Sequence, residues 1–113
     1  MKWEREEEIL LVDLYIYSKT HSTEETEAEI SNVSEMLKDR AKIIGIDITE
    51  KFRNISGLKM KLQNIEYCFT KGRSGLANYS KFDSIIAEEA KENLVKILLD
   101  AAEIKISIKY DRR

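Results

Sequence analysis

The chain has 113 residues, of which 42% are hydrophobic and 35% are charged. This length and composition suit one domain with one modest core. No apolar run approaches the roughly 18–20 residues of a membrane-spanning helix, and the acid-rich start is unlike a signal peptide. We therefore expect a single cytoplasmic domain over residues 1–113.

The net charge of −2 is distributed unevenly along the chain. Residues 1–35 have a net charge of −7, and residues 82–113 have a net charge of −1. Residues 36–81 carry ten cations against four acids, a net charge of +6. A basic middle of this kind indicates a surface that faces a polyanion.

The absence of proline and the presence of only four glycines favour helices joined by turns. The first helix is predicted from about Glu4 to Ser18, with Trp3 packed across its start. Several acids lie in its first turns, where the helix dipole favours negative charge. We interpret them as solvated residues that stabilise the helix end: Glu4, Glu6, Glu7 and Glu8.

The second helix is predicted over residues 24–43, with Ser22 or Thr23 as its cap. A third helix is expected from about Gly57 to Phe69, with Ser56 as its N-cap.

The last third of the chain begins with a capping box of Ser80 and Asp83, which predicts one long helix or two consecutive helices. An apolar stripe at helical spacing is assigned to the core: Ile86, Ala90, Leu94, Ile97, Leu98 and Ala101. Residues 104–113 could continue the helix, form a short strand or be a tail. The prediction is an all-α, compact bundle of four or five helices with a helix-turn-helix-like central segment.

Most catalytic arrangements are missing from the sequence. It contains one cysteine and one histidine, too few for the common zinc sites or for a Cys–His pair. Cys68 follows an apolar helical spacing and is interpreted as a structural thiol, and His21 as an exposed loop residue. We expect no enzymatic activity of the isolated chain, no bound metal and no cofactor.

Residues 52–65, FRNISGLKMKLQNI, contain no acid, and together with the following loop they are the predicted DNA-binding segment. Lysine and arginine neutralise phosphates, whereas asparagine and glutamine can read adenine edges. The predicted phosphate contacts are Arg53, Lys59, Lys61, Lys71, Arg73 and Lys81. The predicted hydrogen-bonding contacts to bases or backbone are Asn54, Gln63 and Asn64.

Alternative roles remain open for several of these side chains. Arg53 could pair with an acid of the first helix, Asn54 could cap the third helix, and the lysines could simply be solvated. Three aromatic residues could line a base pocket or pack in the core: Tyr67, Phe69 and Tyr79.

Three blocks of sequence carry a resemblance to a known family. They are residues 3–15 (WEREEEILLVDLY), 52–64 (FRNISGLKMKLQN) and 75–81 (GLANYSK). Together they resemble the N-terminal module of McrA-type HNH restriction endonucleases and related defence proteins. The chain departs from the pattern at residues 55–56, where proline or asparagine is more usual.

The resemblance implies a DNA-recognition module that is followed by a separate C-terminal HNH part, which cuts. The cutting part needs histidines, and often zinc-binding cysteines, that this chain lacks. The resemblance therefore implies binding of duplex DNA, plain or modified, without cleavage. It is compatible with a stand-alone module and with a piece of a longer nuclease.

A second function class remains open from the residues alone. The first helix is acidic and carries more apolar residues than one helix face needs, which suggests a dimerisation or protein-interaction surface. The residues of that predicted surface are Leu10, Leu11, Val12 and Ile16.

Overall fold

The computed structural model describes residues 2–111, which form five α-helices. They are α1 (Arg5–Thr20), α2 (Thr23–Ile43), α3 (Ile55–Phe69), α4 (Lys81–Glu92) and α5 (Leu94–Asp111). The all-α prediction is confirmed, and the bounds predicted for the first two helices are correct to within two residues. Over residues 2–111, none of the helices has the length and apolar character needed to cross a membrane.

Helix α1 lies at the centre of the bundle and contacts all four other helices. Leu10, Leu11, Val12 and Leu14 are all 0% exposed, and Ile16 packs against the same core. A helix that is surrounded by other helices needs apolar residues on several faces. This explains why α1 carries more apolar residues than one helix face needs. The predicted dimerisation surface on this helix is therefore wrong, because its residues are buried within the chain.

Two of the three predicted capping sites are confirmed. Ser22 accepts a hydrogen bond from the Glu25 backbone N–H at the start of α2, and Ser80 caps α4 in the same way through Asp83. The prediction of Ser56 as the cap of α3 is wrong. Asn54 Oδ1 accepts the Gly57 N–H at 2.8 Å, so the helix begins two residues earlier than predicted.

The last third of the chain forms two consecutive helices that meet at Asn93, whose φ of −150° and ψ of 81° are not helical. The apolar spacing of α4 does not continue across this break, and Leu94, which was assigned to the core, is 37% exposed. Helix α5 continues through residues 104–111, so the tail is helical there. Residues 112 and 113 lie outside the described part.

The connection between α3 and α4, residues 70–80, folds back onto α3. The Leu76 N–H donates to the Gln63 carbonyl at 3.0 Å, and Gly75 has a φ of +94°. A Cβ atom at position 75 would lie 2.3 Å from that same carbonyl oxygen. Only glycine fits this close approach, which fixes the loop against the helix.

Candidate nucleic-acid interface

Arg53 is the first of the predicted DNA contacts, and its side chain is buried in the protein. Its Nε donates to Glu7 Oε2 at 2.7 Å, and its Nη2 donates to Glu7 Oε1 at 3.0 Å. The exposed fractions of the two side chains are 7% and 4%. The guanidinium also lies 3.9 Å from the centroid of the Trp3 ring. The alternative interpretation, a pair with an acid of the first helix, is therefore confirmed.

Lys61 forms a second buried ionic group with two carboxylates. Its Nζ lies 2.6 Å from Asp83 Oδ1 and 3.1 Å from Glu8 Oε1, and both carboxylate side chains are 0% exposed. Three helices meet at this cluster, since α1, α3 and α4 each provide one residue. The interpretation of the acids at the start of α1 as solvated is wrong for Glu7 and Glu8, because both are buried against cations of the central segment.

The Glu8 carboxyl group is the most perturbed titratable group of this cluster. Burial, followed by the hydrogen bond and the charge of Asp83, raises its pKa to about 8. Glu8 therefore holds its proton to a higher pH than an ordinary glutamate, and the Asp83 carboxyl group is the nearer of the two to the Lys61 ammonium.

Two predicted amide contacts also have roles inside the fold. Asn54 caps α3, as the alternative interpretation proposed. Asn64 is 4% exposed, and its Nδ2 donates to the Leu76 carbonyl at 3.2 Å and to Asn78 Oδ1 at 2.9 Å. Asn64 thus anchors the connection between α3 and α4 and presents little surface to an external ligand.

The five other predicted residues are exposed: Lys59, Gln63, Lys71, Arg73 and Lys81. Lys59 forms a solvent-exposed pair with Glu27 at 3.0 Å, which contributes little to stability. The Gln63 carbonyl accepts the hydrogen bond from the Leu76 N–H, so Gln63 lies beside the α3–α4 connection. We find no ion pair for Lys71, Arg73 or Lys81 with any residue between 2 and 111.

Several side chains that the sequence analysis did not select surround Trp3. A groove of about 570 Å³ is lined by Lys2, Trp3, Ser80, Lys81, Phe82 and Ile85. The aromatic residue Phe82 is 39% exposed, and it lies on α4 beside Lys81. A lysine precedes an aromatic residue at positions 2–3 and 81–82, but also at positions 51–52 and 109–110, so this pattern alone does not identify the groove from the sequence.

The three aromatic residues considered for a base pocket make contacts within the protein. Phe69 packs against the core and stacks on Tyr15, with 4.8 Å between ring centroids. Tyr67 stacks on Tyr79 at 5.6 Å, and Tyr79 is 44% exposed. These contacts favour the packing role over a base pocket.

The remaining reactive side chains show no catalytic arrangement over residues 2–111. Cys68 is half-buried, and burial raises the pKa of its thiol to about 11, which disfavours the nucleophilic thiolate. His21 is exposed, as predicted, and stacks on Tyr17. In the same described range, no group of three or more His, Cys, Asp or Glu residues is placed to hold a metal ion.

The three blocks of sequence that carry the family resemblance meet in space. Trp3 and Glu7 of the first block contact Arg53 of the second, and Asn64 of the second contacts Asn78 of the third. The blocks therefore form one structural framework.

Comparisons of the chain with protein-family models, with curated proteins and with solved structures gave no match. The resemblance to McrA-type proteins accordingly stays a prediction.

Proposed function

We propose that the protein binds duplex DNA through the connection between α3 and α4. Residues 67–82 contain no acid, while they contain Lys71, Arg73 and Lys81. All three side chains are exposed and unpaired within residues 2–111. We call the surface formed by these three side chains the basic loop surface. Its uncompensated positive charge is the observation that carries the proposal.

The buried cations Arg53 and Lys61 are excluded from the proposed DNA contact. Arg53 and Lys61 are two of the ten cations in residues 36–81, but Glu7, Glu8 and Asp83 surround them. Their charges are directed inward and contribute little to an external field. The predicted DNA contact therefore moves from the N-terminal half of α3 to the connection that follows it.

The chemistry of the basic loop surface suits the DNA backbone. Lys71 and Arg73 would neutralise phosphates and release counterions. Lys81 lies at the first turn of α4, where the helix dipole also favours an anion. Gln63 of α3 borders the loop and can donate to and accept from a base edge. Lys59 of α3 pairs with Glu27 of α2 and lies outside this surface.

Removing the two loop cations tests the proposal. We expect K71A/R73A to lower the affinity for a short duplex about tenfold or more at low salt. We also expect the slope of log affinity against log salt to become shallower by about 2, because each phosphate contact contributes about 0.9 to it. Fluorescence anisotropy of labelled DNA at several salt concentrations measures both quantities.

The control is K42A, which removes an exposed lysine near the end of α2 and should leave the affinity unchanged. Equal affinity of K71A/R73A and the unaltered protein would contradict the assignment to the loop. Absence of binding at low salt to plain and modified duplexes would overturn DNA binding itself.

A second candidate function, self-association, is favoured by an exposed apolar stripe on α5. Val95, Leu99 and Ile106 are 67%, 60% and 55% exposed, and Ala102 between them is also exposed. The spacing of four, three and four residues is that of a coiled-coil seam. A small residue between larger ones allows two copies of the same helix to approach closely, so the partner we propose is a second copy of this chain.

Light scattering after size-exclusion chromatography tests this candidate. We expect a dimer that L99E/I106E converts to a monomer, because the substitution places charges in the seam. The matched control, K96E, changes an exposed charge of the same helix and should leave the dimer intact. A monomer at every concentration of the unaltered protein would exclude the seam as a dimer interface.

A further inference from the structure

The groove beside Trp3 combines apolar walls with positive charge. Phe82 and Ile85 are 39% and 36% exposed on α4, and Trp3 faces them from the segment that precedes α1. Lys2 and Lys81 also line the groove, and neither forms an ion pair with a residue in the range 2–111. Its volume of about 570 Å³ is sufficient for a flat heterocyclic ring.

The Trp3 ring is held in place before any ligand arrives. The Arg53 guanidinium lies 3.9 Å from the ring centroid, and the Lys61 ammonium lies 5.2 Å from it. Both cations are fixed by buried carboxylates, so the ring is supported by a rigid framework. A rigid aromatic surface reduces the entropy that a stacking partner must lose on binding.

The charge around the groove selects an anionic ligand. None of its lining residues is acidic. Glu89 is the next acid on the α4 face that carries Phe82 and Ile85, and Arg5 holds it with hydrogen bonds of 2.6 and 2.7 Å. The groove therefore offers planar apolar surface between two uncompensated lysines, which matches a base with its flanking phosphates.

We propose that this groove holds an unpaired DNA base, stacked between Trp3 and Phe82, with the adjoining phosphates at Lys2 and Lys81. The proposal rests on DNA binding by the basic loop surface, with which the groove is continuous because both contain Lys81. The loop would hold duplex backbone, and the groove would hold a base that has left the stack.

The lone tryptophan of the chain allows a direct test, because it lines this groove and its emission responds to a base that stacks on it. A duplex and the same duplex with a short single-stranded gap are titrated into the full chain. Anisotropy of a label on the DNA measures affinity, and tryptophan emission measures contact with the groove. We expect the gapped DNA to bind about tenfold more tightly, the factor that stacking of one base supplies, and to quench the emission more strongly.

The variant F82A should abolish the preference for gapped DNA while the affinity for duplex DNA is retained. The variant I85S alters the same wall of the groove and should have the same effect. The matched control is I44A, which shortens an exposed apolar residue at the end of α2 and should change neither quantity. Circular dichroism confirms that each variant is folded.

Each outcome separates the two proposals. Duplex binding with no preference for the gap and no change in emission overturns the groove assignment and leaves duplex binding in place. The groove assignment is also overturned if F82A and I85S change neither the quenching nor the preference for gapped DNA. No anisotropy change with either DNA overturns both proposals.

Discussion

Replacing Arg53 by alanine should lower the free energy of unfolding by about 3–5 kcal/mol, because it leaves the buried Glu7 carboxylate without a cation. The loss of the stack on Trp3 adds to this effect. Urea denaturation monitored by circular dichroism at neutral pH measures the change. A loss below about 1 kcal/mol would show that the pair is not a principal support of the fold.

Two further variants identify the cause of the loss. K51A removes an exposed lysine from the connection between α2 and α3, in which Arg53 also lies. It should change the free energy of unfolding by less than about 0.5 kcal/mol. R53A/E7Q removes both charges of the pair and should recover about 1 kcal/mol or more relative to R53A alone. If the double variant is no more stable than R53A, the unpaired carboxylate is not the source of the cost.

The variant E8Q should become progressively more stable than the unaltered protein as the pH rises from 5.5 to 8.5. The ordinary pKa of a glutamate is 4.5, and that of Glu8 in the fold is about 8. Between these values the folded state binds more protons than the unfolded state, so its stability falls as the pH rises. The slope is at most about 1.4 kcal/mol per pH unit, and it levels off above the folded pKa.

Glutamine has the shape of a protonated glutamate and cannot ionise, so it removes this slope. Denaturant titrations of both proteins across the pH range measure the difference. The control is S18A, which changes a residue of the same helix without adding or removing an ionisable group and should therefore give a constant difference. A constant difference between E8Q and the unaltered protein would mean that Glu8 ionises normally in the fold.

The helices were predictable because their signals are local. The capping boxes at Ser22 and Ser80 and the apolar spacing of α1 each depend on residues within a turn or two. Whether Asn54 or Ser56 caps α3 could not be decided from the neighbouring residues alone. Arg53, beside the cap, is held by Glu7 and by a bond of 2.8 Å from Ser34 Oγ to its carbonyl. Those contacts depend on how three helices pack.

The candidate interface was less predictable for the same reason. Lys61 and Lys71 are equivalent in a charge count, yet Lys61 is enclosed by carboxylates from α1 and α4 while Lys71 is exposed. A sequence gives the number of cations but not which of them are neutralised in the fold. Trp3 and Phe82 are 79 positions apart in the numbering, so only the tertiary structure places them beside one groove.

The central position of α1 also has a consequence for how the protein is made. Synthesis produces α1 before the other four helices, yet its apolar side chains are covered by those later helices. Asp13 of α1 is joined to Lys105 of α5 at 2.8 Å, so α1 acquires its full set of contacts only after α5 has been synthesised. Until then the nascent chain carries an uncovered leucine-rich helix, and a chaperone that shields such segments would be expected to raise the yield of folded protein.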